Sequence, residues 1–278
     1  QGAAGRSVPD RAMGISQDAP GSREGGGEVK LTIRSETPPG EKLPYYQIGL
    51  RRYPSVTTIL GVLAKPALVQ WAANQAAEKA LDWAETVWDR KSPIGIGTLN
   101  EWKRAFVGNK DSAADIGTWT HLLMDSLLGG TKLRVPFPGK KDGTEQRLRK
   151  AAESAMRELK MKPIAPGALV YDRKNEYAGT FDAIVSIKGR PALVDWKTSS
   201  DVYPEYHLQT AAYLGALLSQ KPQRTTVPAR AILRLDKRAG AWDLVYAPSA
   251  LIDDLAVFLA VKQVYNWKSK GAAWRRGA

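Results

Sequence analysis

Cysteine is absent from this 278-residue chain. That one absence removes disulfides, thiolate zinc sites, cysteine nucleophiles and cysteine-held iron–sulfur clusters together. An intracellular setting fits it. No apolar run reaches the roughly 18 residues of a membrane span. The N-terminus has no apolar signal-peptide core, so no leader is expected. Acidic residues are outnumbered: 28 Asp and Glu face 41 Lys and Arg, a formal net charge of +13. Such an excess points to a polyanionic partner, nucleic acid ahead of membrane, or to nothing more than a soluble basic protein.

What is present is enough to fold. The hydrophobic fraction of 43% can fill a sizeable core, and the length suits one large domain or two small ones. Residues 1–28, rich in Gly, Ser, Ala and charge, bury too little apolar surface to order and are expected to be a disordered tail. Lys30–Arg34 and Tyr45–Tyr53 read as a β-pair around a Pro-Pro-Gly turn. SVTTILGVLA starts a helix with Ser55 as its N-cap. Pro66 opens a long helix whose Leu68, Trp71, Ala72, Leu81, Trp83 and Val87 fit helical spacing loosely. TLNEWKRAF and DSAADIGTWTHLLMDSLL read as two helices, the second ended by Gly129-Gly130. GTEQRLRKAAESAMREL is another. Strands follow from about Ala165, then a helix in YPEYHLQTAAYLGALLSQ, two strands across a Lys-Arg-Ala-Gly turn, and a closing helix. There is no internal repeat. The expected class is α/β, with a helical front and a small sheet, in one domain.

One stretch stands out: GTFDAIVSIKGRPALVDWKTS, Gly179 to Ser199. Lys188-Gly189 sits between two alternating apolar runs and suits a two-residue hairpin loop. The flanking pair is then Ile187 and Arg190, and continuing that register sets Asp182 opposite Asp195, with Cβ atoms roughly 4.5–5.5 Å apart. Lys197 shares their face. The other face gathers Phe181, Ala183, Val185 and Ile187 against Trp196, Val194 and Ala192. A slip of one residue would separate the two aspartates.

Opposed like charges destabilise a sheet, and a divalent cation reverses that sign. Mg²⁺ or Mn²⁺ suits hard carboxylate ligands, with waters and substrate phosphate completing the shell. A lysine alongside can position an attacking water and offset transition-state charge. The same residues also suit a hairpin salt bridge, Lys197 pairing with Asp195 along the strand or with Asp182 across it. Gln209 and Tyr213 share a helix face four residues apart; Gln209 can orient a carboxylate, a water or a phosphate, while Tyr213 also suits a half-buried core position. Gly117 and His121 share a helix too. A glycine there often marks close backbone approach. His121 can ligate a metal through a neutral imidazole or can be an ordinary structural histidine.

The ordered set Gly117-x-x-x-His121, Asp182, Asp195-Trp196-Lys197 and Gln209-x-x-x-Tyr213 resembles the RecB-like branch of the PD-(D/E)xK nuclease superfamily. YPSVTTILGVLAKPALVQWA resembles the N-terminal segment of phage-encoded exonucleases of that type. The resemblance spans roughly Tyr45 to Leu218. It implies a restriction-endonuclease-like core, a small central mixed sheet flanked by helices, occupying about residues 29–265. It implies that Asp182 and Asp195 bind a catalytic Mg²⁺ or Mn²⁺, with the Trp196 carbonyl as a further ligand and His121 at the metal edge. Lys197 would assist the water or the transition state. Gln209 and Tyr213 would support the site and contact DNA. The activity implied is a DNA exonuclease of phage or prophage recombination, repair or processing, in the bacterial cytoplasm. An endonuclease of the same fold and a non-catalytic DNA-binding subunit are the alternatives. Double- or single-stranded DNA is the expected partner, and no membrane. A recombination partner protein and a homo-oligomer are both compatible with this reading. Two departures stand: Phe181 replaces the proline of the superfamily name, and Asp195 replaces the commoner glutamate.

Basic residues are candidates for the DNA contact: Lys140, Lys141, Arg147 to Lys150, and a C-terminal segment, 266–278. There Trp267 and Trp274 interleave with Lys268, Lys270, Arg275 and Arg276, a composition suited to stacking on single-stranded bases or to a frayed tail.

Overall fold

Residues 45–64, 66–86, 96–223 and 226–274 are described by the computed structural model. The expected N-terminal tail, the Lys30–Arg34 strand and Arg275 and Arg276 lie outside them. Within the described residues the chain is mixed α/β, with one two-stranded and one five-stranded sheet.

Strands β1 (Tyr45–Ile48) and β2 (Arg51–Pro54) pair with each other about Gly49-Leu50. YYQIGLRRY is therefore a hairpin in itself, where the sequence reading made it one partner of Lys30–Arg34. Gly49 has φ 62°, which a two-residue hairpin turn demands. Helix α1 (Val56–Leu60) starts as expected: Ser55 Oγ accepts the Thr58 N–H at 3.0 Å.

Helix α2 (Pro66–Thr86) packs along α3 (Ile96–Leu128), and Trp83 meets Trp102 edge-on at 5.7 Å. Its expected apolar stripe is shallow: Leu81 is 63% exposed, and Trp71, Ala72 and Trp83 are half-buried. Leu68 and Val87 lie outside the residues with described side chains. The two helices expected before Gly129 are one continuous helix, α3. Gly108, between the two expected helices, costs only about 1 kcal/mol against alanine, less than breaking the backbone ladder.

The larger sheet has the order β3-β4-β5-β6-β7. Its strands are β3 (Lys162–Asp172), β4 (Tyr177–Ile187), β5 (Arg190–Lys197), β6 (Ala229–Leu235) and β7 (Trp242–Tyr246). Only β5 and β6 run parallel, and α5 (Pro204–Gln220) makes the crossover between them. Pro163 and Pro166 sit in β3, an edge strand with a register shift between Pro163 and Ala165, where missing donors are tolerated.

Two cores sandwich this sheet. One packs α3 and α4 (Thr144–Glu158) against Ala183, Val185, Ala192, Val194 and Trp196. The other packs α1, α5 and α6 (Leu251–Trp274) against Phe181, Ile184 and Leu193. Phe181 thus leaves the face on which alternation places it. Helix α6 continues unbroken to Trp274, past residue 266.

Candidate functional site

The β4–β5 hairpin has the expected register, Ile187↔Arg190 through Ala183↔Val194. Lys188 and Gly189 both have positive φ, 48° and 87°, as a primed two-residue turn requires. Pairing stops at Ala183↔Val194, one step before the aspartates. The next β5 donor facing β4 is the Trp196 N–H, and it goes to the Asp182 carboxylate, N to Oδ2 2.8 Å. A side chain has taken the place of the ladder. Freed of β5, β4 rotates here, which puts Phe181 in the second core while Ala183 stays in the first.

Around this opening the remaining groups converge. His121 Nδ1, from α3, lies 3.1 Å from Asp182 Oδ1. Gln209 Nε2, from α5, donates to Asp195 Oδ1 at 3.0 Å and to the Tyr213 hydroxyl at 2.9 Å. Lys197 Nζ is 2.5 Å from Asp195 Oδ2. The two form a buried ion pair in which the ammonium also donates to the carboxylate. Lys197 also lies over the Tyr206 ring, 4.8 Å from its centroid.

Electrostatics follow from burial. Asp195 is 1% exposed. Burial pushes its carboxyl up to about 6; the Lys197 charge opposes this and the Asp182 charge adds to it. Burial pulls the Lys197 ammonium down, but the charge and hydrogen bond of Asp195, with the Asp182 charge, together outweigh it and the net shift is upward. His121 is likewise raised: burial lowers it, and its hydrogen bond and charge interaction with Asp182 more than compensate. Tyr213 is held well above the usual phenol range, by burial first and then by the Asp195 charge. It stays neutral and keeps its proton.

His121, Asp182, Asp195, Trp196, Lys197, Gln209 and Tyr213 come together in one cluster. Two expectations need correcting. Gln209 and Tyr213 are 7% and 4% exposed, so they stand behind Asp195 as supports and not as DNA contacts. Gly117 is not sterically required, since an added Cβ would meet only Thr198 Oγ1, at 3.9 Å. The close approach is at Gly179 instead, where a Cβ would lie 2.4 Å from the Tyr213 ring.

Sequence reasoning also missed Asp125 and Tyr206. Asp125 is one helical turn beyond His121, and its carboxyl is raised by burial and then by the Asp182 charge. Tyr206 precedes Gln209 by three residues. Both were readable from i, i+3 and i, i+4 spacing.

The basic candidates divide. Arg147 is tied into the fold: its Nε donates to the Lys237 carbonyl at 2.9 Å and its Nη2 to Thr144 Oγ1 at 3.0 Å. Arg149 pairs with Glu145 at 2.9 Å and stacks over Trp119 at 5.0 Å. Lys140, Lys141, Lys150, Lys268 and Lys270 are exposed, and Trp267 is 68% exposed.

Among the described residues no three His, Asp or Glu side chains form a ready-made metal cage. Two carboxylates suffice for Mg²⁺ when waters and phosphate complete the shell. Asp195 Oδ2, buried and already facing the Lys197 ammonium, is an oxygen chemically suited to a cation. A strand residue directs N–H and C=O to the same edge, so the Trp196 carbonyl faces the Asp182 side, beyond the paired register.

No family model and no curated protein matches the chain. Among solved structures, one described as the crystal structure of SSO0001 is similar over 75% of this chain and 79% of that one, with 10% identity and a TM-score of 0.29. A likeness that weak carries no argument. Among the described residues no helix is long and apolar enough to cross a membrane.

Proposed function

We propose that this protein is a metal-dependent deoxyribonuclease with a restriction-endonuclease-like core, of the RecB-like PD-(D/E)xK type. The observation that carries the reading is the splayed end of β4 and β5. There a sheet gives up a ladder bond to hold two carboxylates and a lysine together. Two aspartates brought together at an opening repel unless a cation offsets them.

Asp182, Asp195 and the Trp196 carbonyl would hold Mg²⁺ or Mn²⁺. When bound, the cation would supply Lewis acidity toward a phosphodiester oxygen. The protein's own residues do the rest. Gln209 fixes Asp195 Oδ1, and Tyr213 fixes Gln209. His121 fixes Asp182 Oδ1, which makes it a partner of the carboxylate. Lys197 places an ammonium, 18% exposed, at the mouth, where it offsets negative charge growing on the phosphoryl oxygens. The exonuclease assignment, and a role in phage or prophage recombination, rest on the motif resemblance.

The Lys197–Asp195 contact favours one competing reading, a non-catalytic DNA-binding subunit with a structural ion pair. An end-labelled linear duplex and a covalently closed circle, each incubated with Mg²⁺ or Mn²⁺, decide the matter. Loss of the linear duplex from its ends with the circle intact supports an exonuclease. Linearisation of the circle supports an endonuclease. No cleavage of either, by protein that still binds DNA, supports the subunit.

A further inference from the structure

A surface pocket of about 290 Å³ lies where β2 meets α6, lined by Arg51, Arg52, Tyr53, Glu176, Lys262 and Asn266. Three cations share it with one carboxylate. Arg52 is already stacked over Tyr45, 4.5 Å from the ring centroid. Partial burial lowers the Lys262 ammonium, and the Glu176 and Asp172 charges only partly oppose this. Lys262 and Asn266 stand one helical turn apart on α6, so both reach the same opening. Glu176 offsets only part of the three positive charges, so the lining keeps a cationic excess that suits an oxyanion.

Position gives the pocket meaning. Glu176 immediately precedes β4, and Asp182 lies six residues further along that strand. At about 3.3 Å per residue the separation is about 20 Å. The path between them is lined by the β1–β2 hairpin, whose Tyr46 hydroxyl meets the exposed Thr180 hydroxyl at 3.3 Å. A DNA strand rises about 3.4 Å per step, so 20 Å corresponds to about six nucleotides.

We propose that the Arg51–Lys262–Asn266 pocket binds a phosphate of the substrate strand about six nucleotides from the bond held at Asp182 and Asp195. This rests on the nuclease reading for the source of the phosphate; the pocket itself rests on its lining. An internal phosphodiester and a terminal phosphate offer the same oxyanion chemistry.

The test uses the full chain and an Arg51→Ala, Lys262→Ala double variant, with Arg51→Lys, Lys262→Arg as a folding control. Binding is read in EDTA by anisotropy, on hairpin-capped duplexes with stems of 5 or 14 base pairs, with and without an end phosphate. The double variant should lose about tenfold in affinity for the long stem, and its salt slope should flatten by about 1, since each phosphate contact contributes about 0.9. Affinity for the short stem, too short to bridge, should not change. A loss independent of the end phosphate identifies an internal phosphodiester; a loss only with it identifies a terminal phosphate. Pyrophosphate should raise the melting temperature of the wild type and the conservative variant, and not that of the double variant. Double-variant protein that matches wild type in long-stem affinity, salt slope and pyrophosphate response overturns the pocket and leaves the nuclease reading standing. A pyrophosphate response confined to wild type and the conservative variant, in protein that neither binds nor cuts DNA, keeps the pocket and overturns the nuclease reading.

Discussion

The Asp182 carboxylate accepts the main-chain N–H of Trp196 at 2.8 Å, at the step where the β4–β5 ladder stops. One side chain therefore closes the sheet and faces the site. Removing its acceptor strands a buried N–H, at a cost of about 1–3 kcal/mol. Asp182→Ala should lose stability in that range in urea unfolding without metal. Asp182→Asn keeps a carbonyl oxygen in place and should lose much less, while both variants lose cleavage. Equal stabilities for the two would mean the bond does not matter to the fold.

Gly179 is occupied from outside by the Tyr213 ring. Gly179→Ala would put a Cβ 2.4 Å from that ring, forcing it away from Gln209. Overpacking of this kind costs about 1–3 kcal/mol. Tyr213→Phe removes only the hydroxyl and leaves the packing. Cleavage should therefore fall further in Gly179→Ala than in Tyr213→Phe, as measured by initial rates on one linear duplex. The opposite order would show that the Tyr213 hydroxyl, and not ring position, sets Gln209.

Without metal the site should destabilise the protein as pH rises. Asp195 is raised from 3.8 to about 6, so its protonated form favours the fold. Its contribution is complete below the unfolded value of 3.8 and is lost as pH climbs through about 6, a change on the order of 3 kcal/mol. His121 is also raised, and its contribution is likewise present below 6.5 and lost above the folded value. In EDTA, wild-type melting temperature should drop between pH 5 and pH 8, and Asp195→Asn should flatten that drop. A wild-type profile that rises over the interval would contradict the burial argument.

Arg147 and Arg149 belong to the fold, whereas Lys150 faces solvent. Arg147→Ala should lower the melting temperature and leave the salt slope of DNA binding unchanged. Lys150→Ala should do the reverse if α4 touches DNA. Melting curves and salt titrations separate the two.

The hairpin was legible because its constraints agree. Lys188-Gly189 fixes the turn, and alternation from Ala183 to Ile187 and from Ala192 to Val194 fixes the faces. Phe181 was not: its pairing with β3 continues, but pairing with β5 ends beside it, and alternation assumes neighbours on both sides. The sequence reads α3 as two helices, because local pattern carries no information about the continuous backbone ladder across 107–110. The roles of Arg147 and Arg149 were also hidden: their partners Lys237 and Trp119 are remote in sequence. Side-chain i, i+4 spacing found His121, Gln209 and Tyr213, and one more turn on the same helix would have found Asp125.

The most direct measurement pairs cleavage with metal-linked stability in Asp195→Asn. Asparagine keeps the acceptor for Gln209 and removes the charge. Ligand binding to the native state alone raises the melting temperature, so wild type should gain stability with Mn²⁺ and the variant should gain much less. At pH 8 without metal the variant should be as stable as wild type or more so, because a buried charge and its repulsion by Asp182 are removed. Cleavage of a linear duplex should fall by at least about a hundredfold, with DNA binding retained. Full cleavage by Asp195→Asn, or an Mn²⁺ response equal to that of wild type, would contradict the account.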